Sequence, residues 1–185
     1  MGETKKIRYA DESENSAFLE KNWGGDNFGE IIDWALEEAG ESTRGRFNFM
    51  VHTDLEESLQ CLVNAVSENS YAQPHKHSGG KDRRETFTVV RGHLWVVTFE
   101  ENGSIKQKIK LDANDSDAQK TFVIETGEIH TVISDEPFVV LELKQHPKGG
   151  YDPKTDKEFA PWAPSEKNTK EANIYYKELT RKVYS

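Results

Sequence analysis

Residues 85–111 read ETFTVVRGHLWVVTFEENGSIKQKIKL, a run of β-branched and aromatic residues that is broken at Gly92 and at Asn102-Gly103. Such a composition between turn residues is typical of short strands. The Asn-Gly dipeptide accepts the positive φ angles of a tight hairpin turn. We therefore expect strands at residues 85–91, 93–100 and 104–111, with the last two paired as a hairpin.

Other segments of the same composition lie on both sides of this run, between Gly, Asn, Asp or Pro residues. They cover residues 46–51, 59–67, 121–125, 129–134 and 137–144. Eight short strands without intervening helices are typical of a sandwich or barrel rather than of alternating strands and helices. The sequence thus predicts an all-β domain.

The ends of the chain differ from this central part. Residues 28–39 carry apolar residues at helical spacing, and Asn27 and Gly40 are suited to begin and end an amphipathic helix. Four of the six prolines fall within residues 147–164, which disfavours a packed strand there, and residues 166–182 can form a helix. We expect an N-terminal arm and helix over residues 1–40, a barrel over 41–146, and an irregular C-terminal tail packed on the barrel over 147–185.

Composition excludes several classes of protein. With 185 residues the chain has room for one ordinary domain, and no apolar run approaches the roughly 18 residues needed to cross a bilayer. The net charge is −9, and residues 11–41 alone contain ten acidic residues and one basic residue. No basic stripe is present for nucleic acid. We expect a cytoplasmic protein that binds neither membrane nor nucleic acid, and whose only cysteine, Cys61, is a buried apolar residue.

Four residues have the types and the spacing of a metal site. His75 and His77 are two residues apart on an extended segment, so their side chains can point to the same side. Glu85 begins the next expected strand, and His130 follows a glycine turn further along. Three imidazoles and one carboxylate suit one divalent ion of Fe, Mn, Ni, Co or Zn and leave coordination positions open. The alternative is that the first two histidines lie in a polar surface loop and the third in the core.

The same residues resemble the paired motifs of the cupin superfamily. His75, His77, Glu85 and Gly92 match the first motif, although the gap between His77 and Glu85 is longer than usual. Gly127 and His130 match the second motif, in which Ser134 replaces the usual Asn. The resemblance implies a cupin fold, a double-stranded β-helix or jelly-roll barrel, with these histidines and Glu85 as metal ligands. It also implies a homodimer.

A closer resemblance, to the WbuC family of cupin-fold metalloproteins, covers about residues 40–166. It is carried by Arg44-x-Arg46-x-Asn48 leading to His52, by LQCLVNAVSENSYAQPHKH (59–77) and by FAPWAPSE (159–166). WbuC-like proteins are associated with surface-polysaccharide gene clusters. The resemblance therefore implies a sugar or sugar derivative as ligand, without naming a reaction.

Further candidates surround the expected metal site. Tyr71 has the same parity as His75 and is a candidate catalytic proton donor, with simple packing as the alternative. Trp162, held between prolines, can stack on a sugar or pack the tail. The remaining candidates are polar or basic residues for an anionic ligand group, with salt bridges or a solvated loop as alternatives: Arg44, Arg46, Asn48, His52, Arg84 and Arg91.

Three functions remain open from the sequence. The first is a metal-dependent isomerase, epimerase or lyase in which the ion polarises a carbonyl or hydroxyl of a small polar, anionic or sugar-like ligand. The second is an Fe(II)-dependent dioxygenase. The third is a noncatalytic module that senses a metabolite.

Overall fold

This computed structural model describes residues 7–9, 16–19, 28–52, 56–77, 83–146 and 155–185. The helices are α1 (Phe28–Glu41) and α2 (Thr169–Tyr184). The strands are β1 (Ile7–Tyr9), β2 (Ser16–Leu19), β3 (Arg46–Met50), β4 (Leu59–Val66), β5 (His75–Lys76), β6 (Glu85–Arg91), β7 (His93–Phe99), β8 (Ile105–Asp112), β9 (Thr121–Ile124), β10 (Ile129–Ile133), β11 (Phe138–Gln145) and β12 (Glu158–Phe159).

The strands form two sheets, with the orders β1-β2-β3-β4-β11-β6-β9 and β12-β5-β10-β7-β8. Within them, β4, β11, β6 and β9 in one sheet correspond to β5, β10, β7 and β8 in the other. This order, in which successive strands cross between sheets and return, is the jelly roll built from two Greek keys. The predicted fold class, an all-β jelly roll with an N-terminal helix, is therefore confirmed.

The expected strands are present with bounds that differ by at most one residue at either end. β5 is the extended segment that was expected to carry His75 and His77, and its two residues give no compositional signal of their own. The expectation of no strand between residues 147 and 164 is wrong, because Glu158–Phe159 pairs with β5. β12 lies at the edge of its sheet, where nearby prolines are tolerated.

Helix α1 covers the outer face of the larger sheet. Its buried residues, among them Ile31 and Ala35, pack on Phe47, Phe49 and Val63 of β3 and β4. Asn27, the expected cap, lies outside the described residues, and the helix continues one residue past Gly40. Because side chains alternate along a strand, the even-numbered residues of β3, β4 and β11 face the space between the sheets.

That interior has an apolar half and a polar half. The apolar half is a cluster of buried residues from both sheets: Val66, Phe87, Val89, Leu94, Val96, Ile109, Leu111, Ile124, Phe138 and Val140. The polar half contains the metal-ligand candidates together with Glu142 and Lys144 of β11. The apolar half holds the sheets together and leaves the polar half free for chemistry.

The described part of the tail packs on the smaller sheet. Tyr176, Leu179 and Val183 of α2 are buried against Val97 and Phe99 of β7, among others. The side chain of Asn168 caps the helix by accepting a hydrogen bond from the Glu171 backbone N–H. Among the described residues, no helix is long and apolar enough to cross a bilayer.

Gly92, the turn between β6 and β7, explains the glycine of the first motif. Its φ is +70°, and an added Cβ would lie 2.6 Å from the Pro137 carbonyl oxygen. We expect Gly92→Ala to lower the free energy of unfolding by about 2–4 kcal/mol, from left-handed backbone strain plus the clash. Urea denaturation measures it. Gly127→Ala is the matched control, because Gly127 has a φ of +81° and open space around it. Gly127→Ala should lower the free energy of unfolding by only about 1–2 kcal/mol. Equal decreases in the two variants would show that the clash with Pro137 contributes nothing.

Candidate metal centre

Three histidines converge between the two sheets. His75 on β5 lies directly opposite His130 on β10, and His77 follows His75 by two residues. All three side chains are buried, and each offers one ring nitrogen within 4.8 Å of the other two. The H-x-H spacing thus brings both imidazoles to one side of the chain, and the second motif adds the third from the neighbouring strand.

Backbone carbonyl groups orient all three rings. The Nδ1 atoms of His75, His77 and His130 lie 2.9, 2.8 and 2.9 Å from the carbonyl oxygens of residues 73, 156 and 128. Because a carbonyl only accepts, each Nδ1 carries the hydrogen, and in the neutral ring Nε2 keeps its lone pair. A ligating imidazole is commonly held in this way from its other nitrogen. The three rings are therefore prepared to bind an ion through Nε2.

The Glu85 carboxylate lies beside two of these histidines. Its Oε2 atom lies 3.4 Å from Nε2 of His77 and 3.1 Å from Nε2 of His130. Among the described residues, none of these three buried atoms has a hydrogen-bond partner. Separations of this size suit adjacent ligands of an ion with bonds of about 2.1 Å. The donor set and its unsatisfied buried atoms fit a divalent metal ion.

The protonation of the rings agrees with this arrangement. Burial and neighbouring positive groups hold the pKa of His75 well below its usual value, so this ring is neutral. For His77, burial would lower the pKa, but the nearby carboxylates of Asp156 and Glu85 raise it to about 9. Without a metal ion, the negative charge of Glu85 favours the protonated form of the His77 ring. A divalent cation at Nε2 would supply that charge instead.

Lys144 holds the other oxygen of Glu85. The two residues are cross-strand partners on β11 and β6, and the Lys144 Nζ atom lies 3.1 Å from Glu85 Oε1 and 2.8 Å from Glu142 Oε1. Burial would lower the pKa of Lys144, but these carboxylates raise it well above its usual value. Burial would likewise raise the pKa of Glu85, but Lys144 and the histidines hold it well below its usual range. Glu85 is therefore ionised. Its Oε1 atom pairs with Lys144, and its Oε2 atom faces the histidines.

More titratable groups surround the ion pair between Lys144 and Glu85. Burial raises the pKa of Glu142 to about 7, and Asn64 donates a hydrogen bond of 2.8 Å to Glu142 Oε2. Asp156 lies 3.5 Å from the Arg83 guanidinium. A shallow crevice borders these groups, and Arg84, an expected ligand-binding residue, contributes to its lining.

Arg44 and Arg46 act as braces in the structure. Their guanidinium groups lie 3.2 and 2.7 Å from Glu166 Oε2, which ties β3 to the tail. This is the salt-bridge alternative to ligand binding. Asn48 lies opposite Asn64 in the β3–β4 pair and faces the space between the sheets.

Two further basic candidates lie away from the histidine cluster. Arg91 is at the opposite end of β6 from Glu85, about 20 Å along the strand. It pairs with Asp33 of α1 at 2.7 Å. His52 follows β3, and its Nδ1 lies 2.9 Å from the Cys61 carbonyl oxygen of β4. Arg91 is therefore far from the metal-ligand candidates, and His52 contacts β4.

The two aromatic candidates, Tyr71 and Trp162, pack between the tail and the barrel. The Tyr71 hydroxyl donates a hydrogen bond of 2.8 Å to the Pro164 carbonyl, because residues 71–74 do not form a strand and the parity argument does not apply. Trp162 lies over Gly103 of the β7–β8 hairpin, where an added Cβ would be 2.9 Å from the indole. Its Nε1 donates to the Glu101 carbonyl. Both residues attach the tail to the barrel.

Sequence reasoning missed Glu142, Lys144, Asp156 and Lys157. The odd-numbered residues of β11 face helix α1, so the even-numbered Glu142 and Lys144 point between the sheets. This alternation is the sequence feature from which their position could have been predicted. Asp156 and Lys157 carried no signal, because their position depends on the pairing of a two-residue strand.

A family model described as a domain of unknown function (DUF6016) matches residues 29–111. The matched stretch includes His75, His77 and Glu85 and ends before His130. No curated protein matches the sequence.

Several solved structures are similar to this chain over part of its length. A cupin superfamily protein from Desulfitobacterium hafniense is 12% identical with a TM-score of 0.42, and the match covers 55% of this chain and 78% of that one. A variant of the salicylate 1,2-dioxygenase from Pseudoaminobacter salicylatoxidans, in complex with gentisate, is 16% identical with a TM-score of 0.48, covering 68% and 33%. The oxalate decarboxylase from Lactobacillus farciminis, in a formate complex, is 20% identical with a TM-score of 0.38, covering 49% and 25%. These values concern the fold and assign no reaction.

Proposed function

We propose that this protein binds one divalent metal ion through His75, His77, Glu85 and His130 and uses it to hold a small polar ligand. The observation that carries the proposal is the common orientation of the three rings, each bound at Nδ1 to a carbonyl group, with Nε2 atoms that converge. Together with Glu85 Oε2, they form one donor set, in which Nε2 of His77, Nε2 of His130 and Glu85 Oε2 have no hydrogen-bond partner among the described residues.

The chain's own groups prepare the site. Lys144 keeps Glu85 ionised and leaves one carboxylate oxygen for the ion. The carbonyl group of residue 156 sets the orientation of His77, and burial excludes competing water from the rings. A bound ion would act as a Lewis acid on a carbonyl or hydroxyl oxygen of the ligand.

The ligand class follows from the WbuC-like resemblance over residues 40–166. It supports a sugar or sugar derivative linked to surface-polysaccharide metabolism, and chemistry of the isomerase, epimerase or lyase type. If iron is the resident ion, oxygen consumption by the aerobic iron-loaded protein would favour the dioxygenase alternative. Stabilisation by a ligand without turnover would favour a sensing module.

Elemental analysis of the protein purified without added metal tests the metal site. We expect about one divalent ion per chain in the wild type, and at least a tenfold loss in His77→Ala and His130→Ala, because each removes a ligand that no neighbour replaces. Glu85→Gln should lose occupancy to a smaller extent. His93→Ala is the matched control, because His93 pairs with Asp135 and Glu136 outside the cluster. Full occupancy in His130→Ala would overturn the proposed site.

A further inference from the structure

The tail brings Lys157 to the same face as the metal-ligand histidines. In the β12–β5 pair, Glu158 lies opposite Lys76 and Phe159 opposite His75. Continuing this register places Lys157 opposite His77. Directly opposed residues of an antiparallel pair point to the same side, and the Phe159 and His75 rings, 6.0 Å apart, agree with this. Lys157 therefore projects to the side on which the histidines converge.

Lys157 differs from Lys144, Arg83 and Arg46 in having no counterion among the described residues. Lys144 pairs with Glu85 and Glu142, Arg83 with Asp156, and Arg46 with Glu166. Among the described residues, no carboxylate lies within ion-pair distance of the Lys157 ammonium group. Burial and the charge of Lys144 lower the pKa of Lys157 to about 8, and its charge contributes to the low pKa of His75. The ammonium group is thus charged at neutral pH, and Lys157 is half-buried beside the site.

The charge balance of the site indicates what this ammonium group binds. Its acidic groups, Glu85, Glu142 and Asp156, carry at most three negative charges, because the pKa of Glu142 is about 7, and Lys144, Arg83 and Lys157 carry three positive charges. A divalent ion would therefore leave an excess of at least two positive charges in a poorly solvated space. Such an excess is unfavourable unless an anion enters with the ion. The excess favours an anionic ligand over a neutral one.

We propose that Lys157 is the anion-recognition residue of this protein and takes a carboxylate or phosphate oxygen of a ligand that also reaches the metal quartet. The inference rests on the proposed metal site and adds the ligand's chemical class, an oxyanion. A sugar acid and a sugar phosphate both meet this requirement. Three of the other basic candidates, Arg44, Arg46 and Arg91, are neutralised by acidic partners.

Anion titration of the cobalt-loaded protein tests the inference, with the visible absorption of Co(II) as the signal. The probes are sodium oxalate and inorganic phosphate, which separate carboxylate from phosphate recognition. We expect saturable spectral changes in the wild type and a Kd at least tenfold higher in Lys157→Met and Lys157→Gln. Lys157→Arg should remain within about threefold, because it keeps the charge. Lys167→Met is the matched control, because Lys167 is an exposed lysine of the same tail.

The outcomes separate the two proposals. Unchanged cobalt stoichiometry with weakened anion binding only at position 157 supports the inference. Equal anion affinity in the wild type and both neutral variants overturns it and leaves the metal site standing, as does failure of both anions to bind the loaded wild type. If the wild type takes up no cobalt, the proposed metal site falls, and the inference falls with it.

Discussion

Replacing Lys144 by methionine is expected to lower the free energy of unfolding by about 3–5 kcal/mol, among the largest losses for a single change in this chain. The side chain is only 13% exposed and lies between Glu85 and Glu142. Without the ammonium group, two buried carboxylates face each other with no cation between them. Methionine keeps most of the volume, so the loss reports charge rather than a cavity.

Urea denaturation of the metal-free protein measures this loss. Lys110→Met is the matched control, because Lys110 pairs with Asp112 at 2.9 Å but is 43% exposed, and its loss should not exceed about 1 kcal/mol. Adding Glu142→Gln to Lys144→Met should recover part of the stability, since one of the uncompensated anions disappears. Similar losses in the two lysine variants would mean that Lys144 does not neutralise a buried cluster.

Removing the metal is expected to lower the stability of the wild type by about 3–4 kcal/mol when the free ion previously exceeded its Kd by several hundredfold to a thousandfold. The reason is that the ion binds only when His75, His77 and His130 are assembled, so its binding free energy adds to folding. Unfolding with and without a strong chelator measures the difference.

Two variants make this result specific. His130→Ala should unfold at the same denaturant concentration with or without chelator, because the ligand set is broken. His93→Ala should keep the chelator effect of the wild type, since His93 lies outside the cluster. A chelator effect that persists in His130→Ala would show that the stabilising ion is bound elsewhere.

The fold was predictable wherever a strand was long enough for its residue composition to indicate a strand. The strands from β6 to β11 follow from runs of β-branched residues between turn residues, and Gly92 and Gly103 have the positive φ angles that such turns require. β5 and β12 have two residues each, and their pairing is decided by neighbours rather than by propensity. Local composition carries no information of that kind.

The candidate site was predictable to a different extent. The histidines follow from the H-x-H spacing and from the second motif, and Glu85 from its distance to Gly92. The structure brings these four together, while their role as ligands stays a prediction. Lys144 and Lys157 could not be found in this way, because the significance of a buried charge depends on what lies opposite it in space.

The pairing of β12 with β5 has a consequence for the order of events in folding. Nδ1 of His77 takes its partner from residue 156, which is 79 positions further along the chain, and the backbone N–H of Ala160 binds the Pro74 carbonyl. A growing polypeptide can therefore complete every jelly-roll strand before the ring of His77 is held in place. Contacts between such distant residues form late. Ion binding would then follow the synthesis of the tail. A product truncated before residue 156 would form the barrel without the carbonyl group that orients His77 for the ion.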